Sequence, residues 1–397
     1  MSYELATSAI QRQQASVAKI NQQLAAGTRL LSPSEDPIAA NNALRIKESL
    51  ARNDQFAENR SLAMSTLADV ESTLQGVGDV IARIKELALS AGNASISDAE
   101  RRFLATEIKG RLDELIGLAN RKDAYGNHMF AGYQSDALPF ARSASGDVQY
   151  LGDSGQRSVL VDAERQMEVG FSGSDVFEGM RNGNGSFATF PAATNAGTGV
   201  ISGGRVVDSS ISTNNGYELR FSVASGVATY AVQNTITGAT VSSGNPYISG
   251  AAILVEGMRV EVSGTPANGD RFAIEPSRNE SVFTSIERLV SALERPANSG
   301  ADKARLSNAL GQSYASFDMA LEHVIEKRAQ VGASLAELDS LDALGARTSL
   351  NDKTQLSKLT DLDYAKAISD LAQEQMKIDA ARQAFVKTQG LSLFNLL

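Results

Sequence analysis

The sequence predicts a mainly α-helical protein with a β-rich domain inserted into its middle. Three observations carry this reading. Apolar residues recur at three-, four- and seven-residue spacing over both ends of the chain, which is the period of amphipathic helices. That periodicity vanishes between residues 140 and 280, where 20 of the 33 glycines lie among many Ser, Thr and Asn residues. Inside that stretch, short runs alternate apolar and polar residues as antiparallel strands with one solvated face do.

The first helix is expected from Tyr3 to Ala26, ended by Gly27 in the left-handed conformation that closes helices. Tyr3, Ile10, Val17, Leu24 and Leu31 recur every seven residues, with Ile20 beside them. Asp36 as N-cap and Pro37 as first helical residue open a second helix to about residue 91. It carries Val70, Leu74, Val77, Ile81 and Ile84, and Gly76 and Gly78 weaken it locally. Ser97 and Glu100 form a capping box ahead of a third helix, which bears Leu104, Ile108, Leu112 and Leu115 and ends near Asp123.

DVQYLG and QRSVLVD read as a hairpin about Asp153 to Gly155. YELRFSV, ATYAVQN, MRVEVSG and DRFAIEP read as further antiparallel strands. The composition of residues 181 to 204 fits a linker as well as it fits structure. Helical spacing returns with Val282, Ile286, Leu289 and Leu293. A long helix from about 303 to 345 follows, bearing Leu310, Phe317, Val324, Val331 and Leu338 and packing antiparallel to the second and third helices.

In the last helix Leu371, Ile378 and Phe385 recur every seven residues, with Ile368 one turn earlier. That narrow stripe matches the N-terminal one, so the two ends are expected to pair as a coiled coil. The domains follow: terminal assembly helices at 1–37 and 346–397, a helical rod from 38–140 with 277–345, and a projecting β-rich domain at 141–276. The last divides into a hairpin part, 141–175, and an outer module, 176–276.

A chain of 397 residues with 42% hydrophobic content can fill two or three cores. Its net charge of −9 provides no general attraction to nucleic acid or anionic membranes. No run reaches the roughly 18 to 20 apolar residues of a membrane span. The opening MSYELATSAIQRQQ has neither the basic nor the apolar region of a cleavable secretory signal. The absence of cysteine excludes disulfides, thiolate zinc sites and thiol catalysis.

His128 and His323 lack metal-ligand spacing and are expected to be solvated or structurally bonded. No phosphate-binding G-x-x-x-x-G-K-[ST], nucleophile elbow or H-E-x-x-H occurs. Glu35 with Asp36, and Asp361 with Asp363, fit helix caps better than acid and base. No catalytic residue, cofactor or metal is expected, and an enzyme is the least favoured reading.

Four segments carry a resemblance: QQLAAGTRLLSPSEDPIAANNAL, LANRKDAYGNHMFAGYQSDALPF, SGTPANGDRFAIEPS and DLDYAKAISDLAQEQMKIDAARQAFVKTQGLSLFNLL. They are similar to segments of the flagellin-type axial proteins of the bacterial flagellum. Pro33 and Pro37 around Ser34, Glu35 and Asp36, and the closing GLSLFNLL, bring the chain nearer the hook–filament junction members than flagellin itself. Members of that family usually begin with several more residues, so the start here is expected to be short.

The resemblance implies a structural subunit that adapts the hook, through hook-associated protein 1, to the flagellin filament. It implies self-assembly into a ring-like or helical homo-oligomer. It also implies export through the flagellar apparatus to the outside of the cell, with a chaperone shielding the C-terminal helix. The subunit interface would comprise Tyr3, Ile10, Val17, Ile20, Leu24, Leu31, Ile368, Leu371, Ile378 and Phe385, with Leu391, Leu393 and Phe394 of the closing segment. The rival readings are a filament-forming flagellin and a stalked surface adhesin whose β region binds a ligand.

Overall fold

The computed structural model describes residues 2–144, 146–211 and 215–394, with residues 2, 3, 5, 6 and 388–394 described by backbone alone. The described residues form six α-helices: α1 Ser2–Ala26, α2 Pro37–Ala91, α3 Asp98–Ala119, α4 Val282–Glu294, α5 Gly300–Thr360 and α6 Tyr364–Phe394. Between α3 and α4 come β1 Phe140–Arg142, β2 Val148–Tyr150, β3 Ser158–Asp162, β4 Arg165–Glu168, β5 Met180–Arg181, β6 Phe187–Pro191, β7 Val200–Ile201 and β8 Arg205–Val206. The remaining strands are β9 Tyr217–Ala224, β10 Val227–Asn234, β11 Thr240–Pro246, β12 Ala252–Val255, β13 Met258–Ser263, β14 Arg271–Pro276 and β15 Asn279–Glu280. The chain is therefore mainly α with an inserted antiparallel β-rich domain.

Two compact units arise. The first takes residues 1–60, the hairpin tip 161–164 and residues 339–397; the second takes 61–160 and 165–338. In the second, α2 and α5 run antiparallel. The Tyr314 hydroxyl donates to Ala88 O at 3.1 Å, and Arg328 pairs with Glu71 at 2.7 Å. The apolar stripe read from the sequence is the core of this pair, with Leu74, Val77, Ile81 and Ile84 of α2, and Phe317, Val331 and Leu338 of α5, fully buried. Gly76 and Gly78 do not break α2. A Cβ there would meet Leu118 and Val324 only at 3.4 and 3.7 Å.

The β domain alternates as expected. Leu219 and Phe221 of β9, Phe272 and Ile274 of β14 and Val260 and Val262 of β13 all point into one core. That core is shared by a five-stranded sheet, ordered β11-β10-β9-β14-β6, and a smaller sheet ordered β12-β13-β7. Asn308 of α5 ties the domain to the helices. Its Oδ1 accepts from Ile201 N at 2.9 Å, and its Nδ2 donates to Gly199 O at 3.0 Å.

Several boundaries depart from the sequence reading. Residues 148–162 do not form one hairpin: β2 pairs back with β1, and β3 pairs forward with β4. The cause is Asp153, whose Oδ1 accepts from Tyr133 N at 2.9 Å and Gly155 N at 2.7 Å, fastening a loop onto residues 131–133 in place of a tight turn. Helix α3 ends at Ala119, and Asp123 instead receives the N–H groups of Tyr125 and Asn127. Residues 181–204 are no linker, because Phe187 and Ile201 belong to the β core. Helix α5 runs past the expected end near 345. Gly345 lies inside it, where a Cβ would fall 2.6 Å from the Arg60 guanidinium.

Two hairpins, β9–β10 and β12–β13, close with two-residue turns whose residues all have positive φ: Ser225 (49°) with Gly226, and Glu256 (42°) with Gly257. These are type I′ turns, which favour Asn-Gly. Replacing Glu256→Asn is expected to stabilise the β domain by about 0.5 kcal/mol, part of the left-handed penalty of roughly 1–2 kcal/mol carried by other L-residues. A urea midpoint that does not rise would contradict this.

Candidate assembly interface

Helix α1 packs along α6. The pairing is antiparallel: Thr28 bridges Asp361 at its base, and fifteen residues up α1 Gln13 Nε2 donates to Glu374, which lies thirteen residues along the other strand of the pair. Lys377, and then Gln13, hold the Glu374 carboxyl below the usual carboxylate range. This link is complete above that range and is lost as the pH falls through the depressed value.

The base of the pair is fixed by backbone. Gly27 adopts φ 69° and its N–H donates to Gln23 O, as the sequence predicts for a helix-closing glycine. Gly27 O accepts from Leu362 N at 3.2 Å, Arg29 N donates to Thr360 O at 2.8 Å, and Arg29 Nη2 donates to Leu359 O at 3.0 Å. These bonds satisfy the last carbonyls of α5 and place a cation at its negative end. Asp36 and Asp363 cap α2 and α6, accepting from Ala39 N and Lys366 N, both at 3.0 Å.

At Gly27 a Cβ would also lie 2.9 Å from the Tyr364 hydroxyl. Gly27→Val is expected to weaken the clasp by about 1–2 kcal/mol through its left-handed φ alone. The reading is faster amide exchange along α1 with unchanged exchange in α3. Equal protection in both would refute it.

The sequence-predicted seam residues divide into groups. Ile10, Val17, Ile20 and Leu24 of α1 and Leu371 and Phe385 of α6 are half-buried, and Ile378 is only 7% exposed. Ile368 does not join this seam. It is 57% exposed, and Ala367, buried one position earlier, takes its place at the three- and four-residue spacing that leads to Leu371. Leu31 keeps the seven-residue count but not the helix, because the chain leaves α1 at Gly27; it sits half-buried in the loop before α2. Tyr3, Leu391, Leu393 and Phe394 lie on α1 and α6, but their side chains are outside the described residues.

The sequence reading missed a second apolar line on α6. Tyr364, Ile368 and Val386 are all more than half exposed, and Met376 is exposed on the same helix. Ile368 and Val386 stand 18 residues apart, five whole turns, so they share one line along the helix. The same helical count that found the seam would have found it. Elsewhere, His128 Nδ1 lies 2.8 Å from Asn120 O and His323 Nε2 lies 2.7 Å from Asp175 O. Among the described residues no three His, Cys, Asp or Glu side chains gather as metal ligands would, and no helix is long and apolar enough to cross a membrane.

Residues 1–135 match the family model of the bacterial flagellin N-terminal helical region. The chain is 28% identical to flagellar hook-associated protein 3 of Salmonella typhimurium, over 100% of this chain and 98% of that protein. The crystal structure of flagellar hook-associated protein 3 from Legionella pneumophila is similar with TM-score 0.75 at 32% identity, covering 79% of this chain and 98% of that one. FlgL of Xanthomonas campestris gives TM-score 0.72 at 33% identity, covering 79% and 99%. A chain that shares this fold with those proteins, and matches them over nearly their whole length, belongs to the flagellar hook-associated protein 3 family of structural flagellar proteins.

Proposed function

We propose that the chain is the adapter of the hook–filament junction, meeting hook-associated protein 1 on one side and flagellin on the other. It assembles with further copies of itself through α1 and α6. The observation that carries this is the unspent apolar line of Tyr364, Ile368 and Val386 beside a seam only one stripe wide. A two-helix pair buries little surface and leaves α6 apolar toward water, a state that association relieves. The thin seam also fits export as an unfolded chain with α6 held by a chaperone, since ordering a backbone costs about 1–2 kcal/mol per residue and one stripe offsets little of it.

The test uses isolated hooks carrying hook-associated protein 1 but lacking a junction subunit. Added full-length protein is expected to bind the hook tips and to permit flagellin to polymerise there. Filament growth of equal yield without it would remove the adapter role. Long filaments formed by this chain alone would assign it to the flagellin side.

A further inference from the structure

A second surface, far along the chain from the terminal helices, is built for contact. A groove of about 680 Å³ lies between α2, the loop after α3 and β3. Tyr125 and Tyr133 flank it, 71% and 69% exposed. The backbone of each is held in place. Asp123 accepts from Tyr125 N and Asp153 from Tyr133 N, each at 2.9 Å. The Tyr133 ring lies against Gly155, where a Cβ would come within 2.2 Å of it. An exposed aromatic ring set in advance, as that of Tyr133 is, loses little freedom on binding, and Tyr with Arg dominates the strong points of protein interfaces.

The polar groups of the groove narrow the ligand. Asp123, almost wholly buried, already accepts from Tyr125 N, Asn127 N and Asn127 Nδ2, so little remains for sugar hydroxyls. Arg157 is different: it forms a long ion pair with Asp123, its Nη1 at 3.8 Å, beyond hydrogen-bond reach, so its N–H donors are not spent on that carboxylate. The groove therefore fits an apolar side chain lying beside a carboxylate. This chain carries that pairing on α5. Ile325 is 63% exposed, and Glu322 and Glu326, three positions before and one after it, make no ion pair among the described residues.

We infer that the Tyr125–Tyr133 groove of one copy receives Ile325 of a second copy, with Glu326 of that copy meeting Arg157. The two patches are different surfaces of one unit, so the contact is head-to-tail and repeats from copy to copy. It rests on the self-assembly proposed above and adds to it a contact outside the terminal helices.

Because the chain has no cysteine, engineered ones report the contact. Full-length Thr66→Cys, at the groove wall, is mixed with full-length Ala329→Cys, one turn after Ile325, under mild oxidation at concentrations where sedimentation shows association. The expected result is a mixed disulfide at least ten times more abundant than that of Thr66→Cys with Val227→Cys. It should vanish when Ile325→Asp is added. Separately, it should fall at least tenfold with Arg157→Glu alone and return when Arg157→Glu in one copy is matched by Glu326→Arg in the other; a swap that restores nothing overturns the contact. Association without the mixed product, or Thr66→Cys cross-linking chiefly to itself, overturns this contact and leaves self-assembly standing. A chain that stays monomeric at every concentration and gives no product overturns both.

Discussion

Ile378→Asp is expected to abolish assembly while leaving the second unit folded. Ile378 is the most buried large side chain described on α6, and a carboxylate there must either be desolvated or open the seam, at a cost on the order of several kcal/mol. The pair has little reserve, because α1 and α6 meet along one stripe. Circular dichroism should lose at most the helicity of α1 and α6, 25 and 31 residues, and the thermal transition of the second unit should stay in place. Ile368→Asp separates two causes. Ile368 faces away from α1, so its substitution is expected to leave the monomer's helicity intact and still impair assembly. Normal assembly by the Ile378 variant would sink the role given to the seam; normal assembly by the Ile368 variant alone would confine it to pairing within one chain.

Phe177→Ala is expected to destabilise the second unit by about 3–5 kcal/mol, as large-to-small changes in packed aromatic cores do. Phe177 sits on a single π-helical turn, Ser174–Glu178, and is fully buried. Its ring meets Phe130 edge-on at 5.3 Å, Phe140 edge-on at 5.2 Å and Phe283 stacked at 5.6 Å. Those partners come from the loop after α3, from β1 and from α4, so one ring joins three segments. Asp175 adds a 2.7 Å ion pair to the nearly buried Lys327 of α5. The urea midpoint should fall markedly for Phe177→Ala and less for Phe177→Leu, which refills part of the cavity. Equal midpoints for the two variants would mean the site collapses freely and the cluster is not a joint.

The contrast between these two sites shows what the sequence exposes. The seam was legible because its members lie on two regular helices and repeat within each, so period alone placed Ile10, Val17, Leu371 and Ile378. It misplaced Ile368 because an alanine next door fills the seam and carries too weak an apolar signal to compete with isoleucine. It carried the repeat on to Leu31 because counting does not register the turn that Gly27 makes. The aromatic cluster was not legible. Phe130, Phe140, Phe177 and Phe283 show no period and meet only through folding, and a five-residue π turn leaves no pattern in sequence. The false hairpin has the same origin, since the bond from Tyr133 N that holds Asp153 comes from twenty residues earlier. The groove was not legible: its loop lies in one of the segments that carry the flagellin-type resemblance, but the setting of Tyr133 depends on Gly155 and on Asp153, twenty residues later.

The bonds that join Gly27 to Leu362 and Arg29 to Thr360 also decide where pairing of the termini begins. They hold the residues just past α1 to the end of α5 and to the short link before α6, at the base of the pair. Closing a contact next to an existing one spans a short loop, whereas joining the far ends first would close nearly the whole chain. Order therefore advances like a zipper from Leu24 toward Ile10, and from Leu371 toward Phe385, with each added turn stabilised by the one before it. The far ends of α1 and α6 are the last to pair, so they are also the parts of the two helices that a neighbour can still capture while the rest is already set.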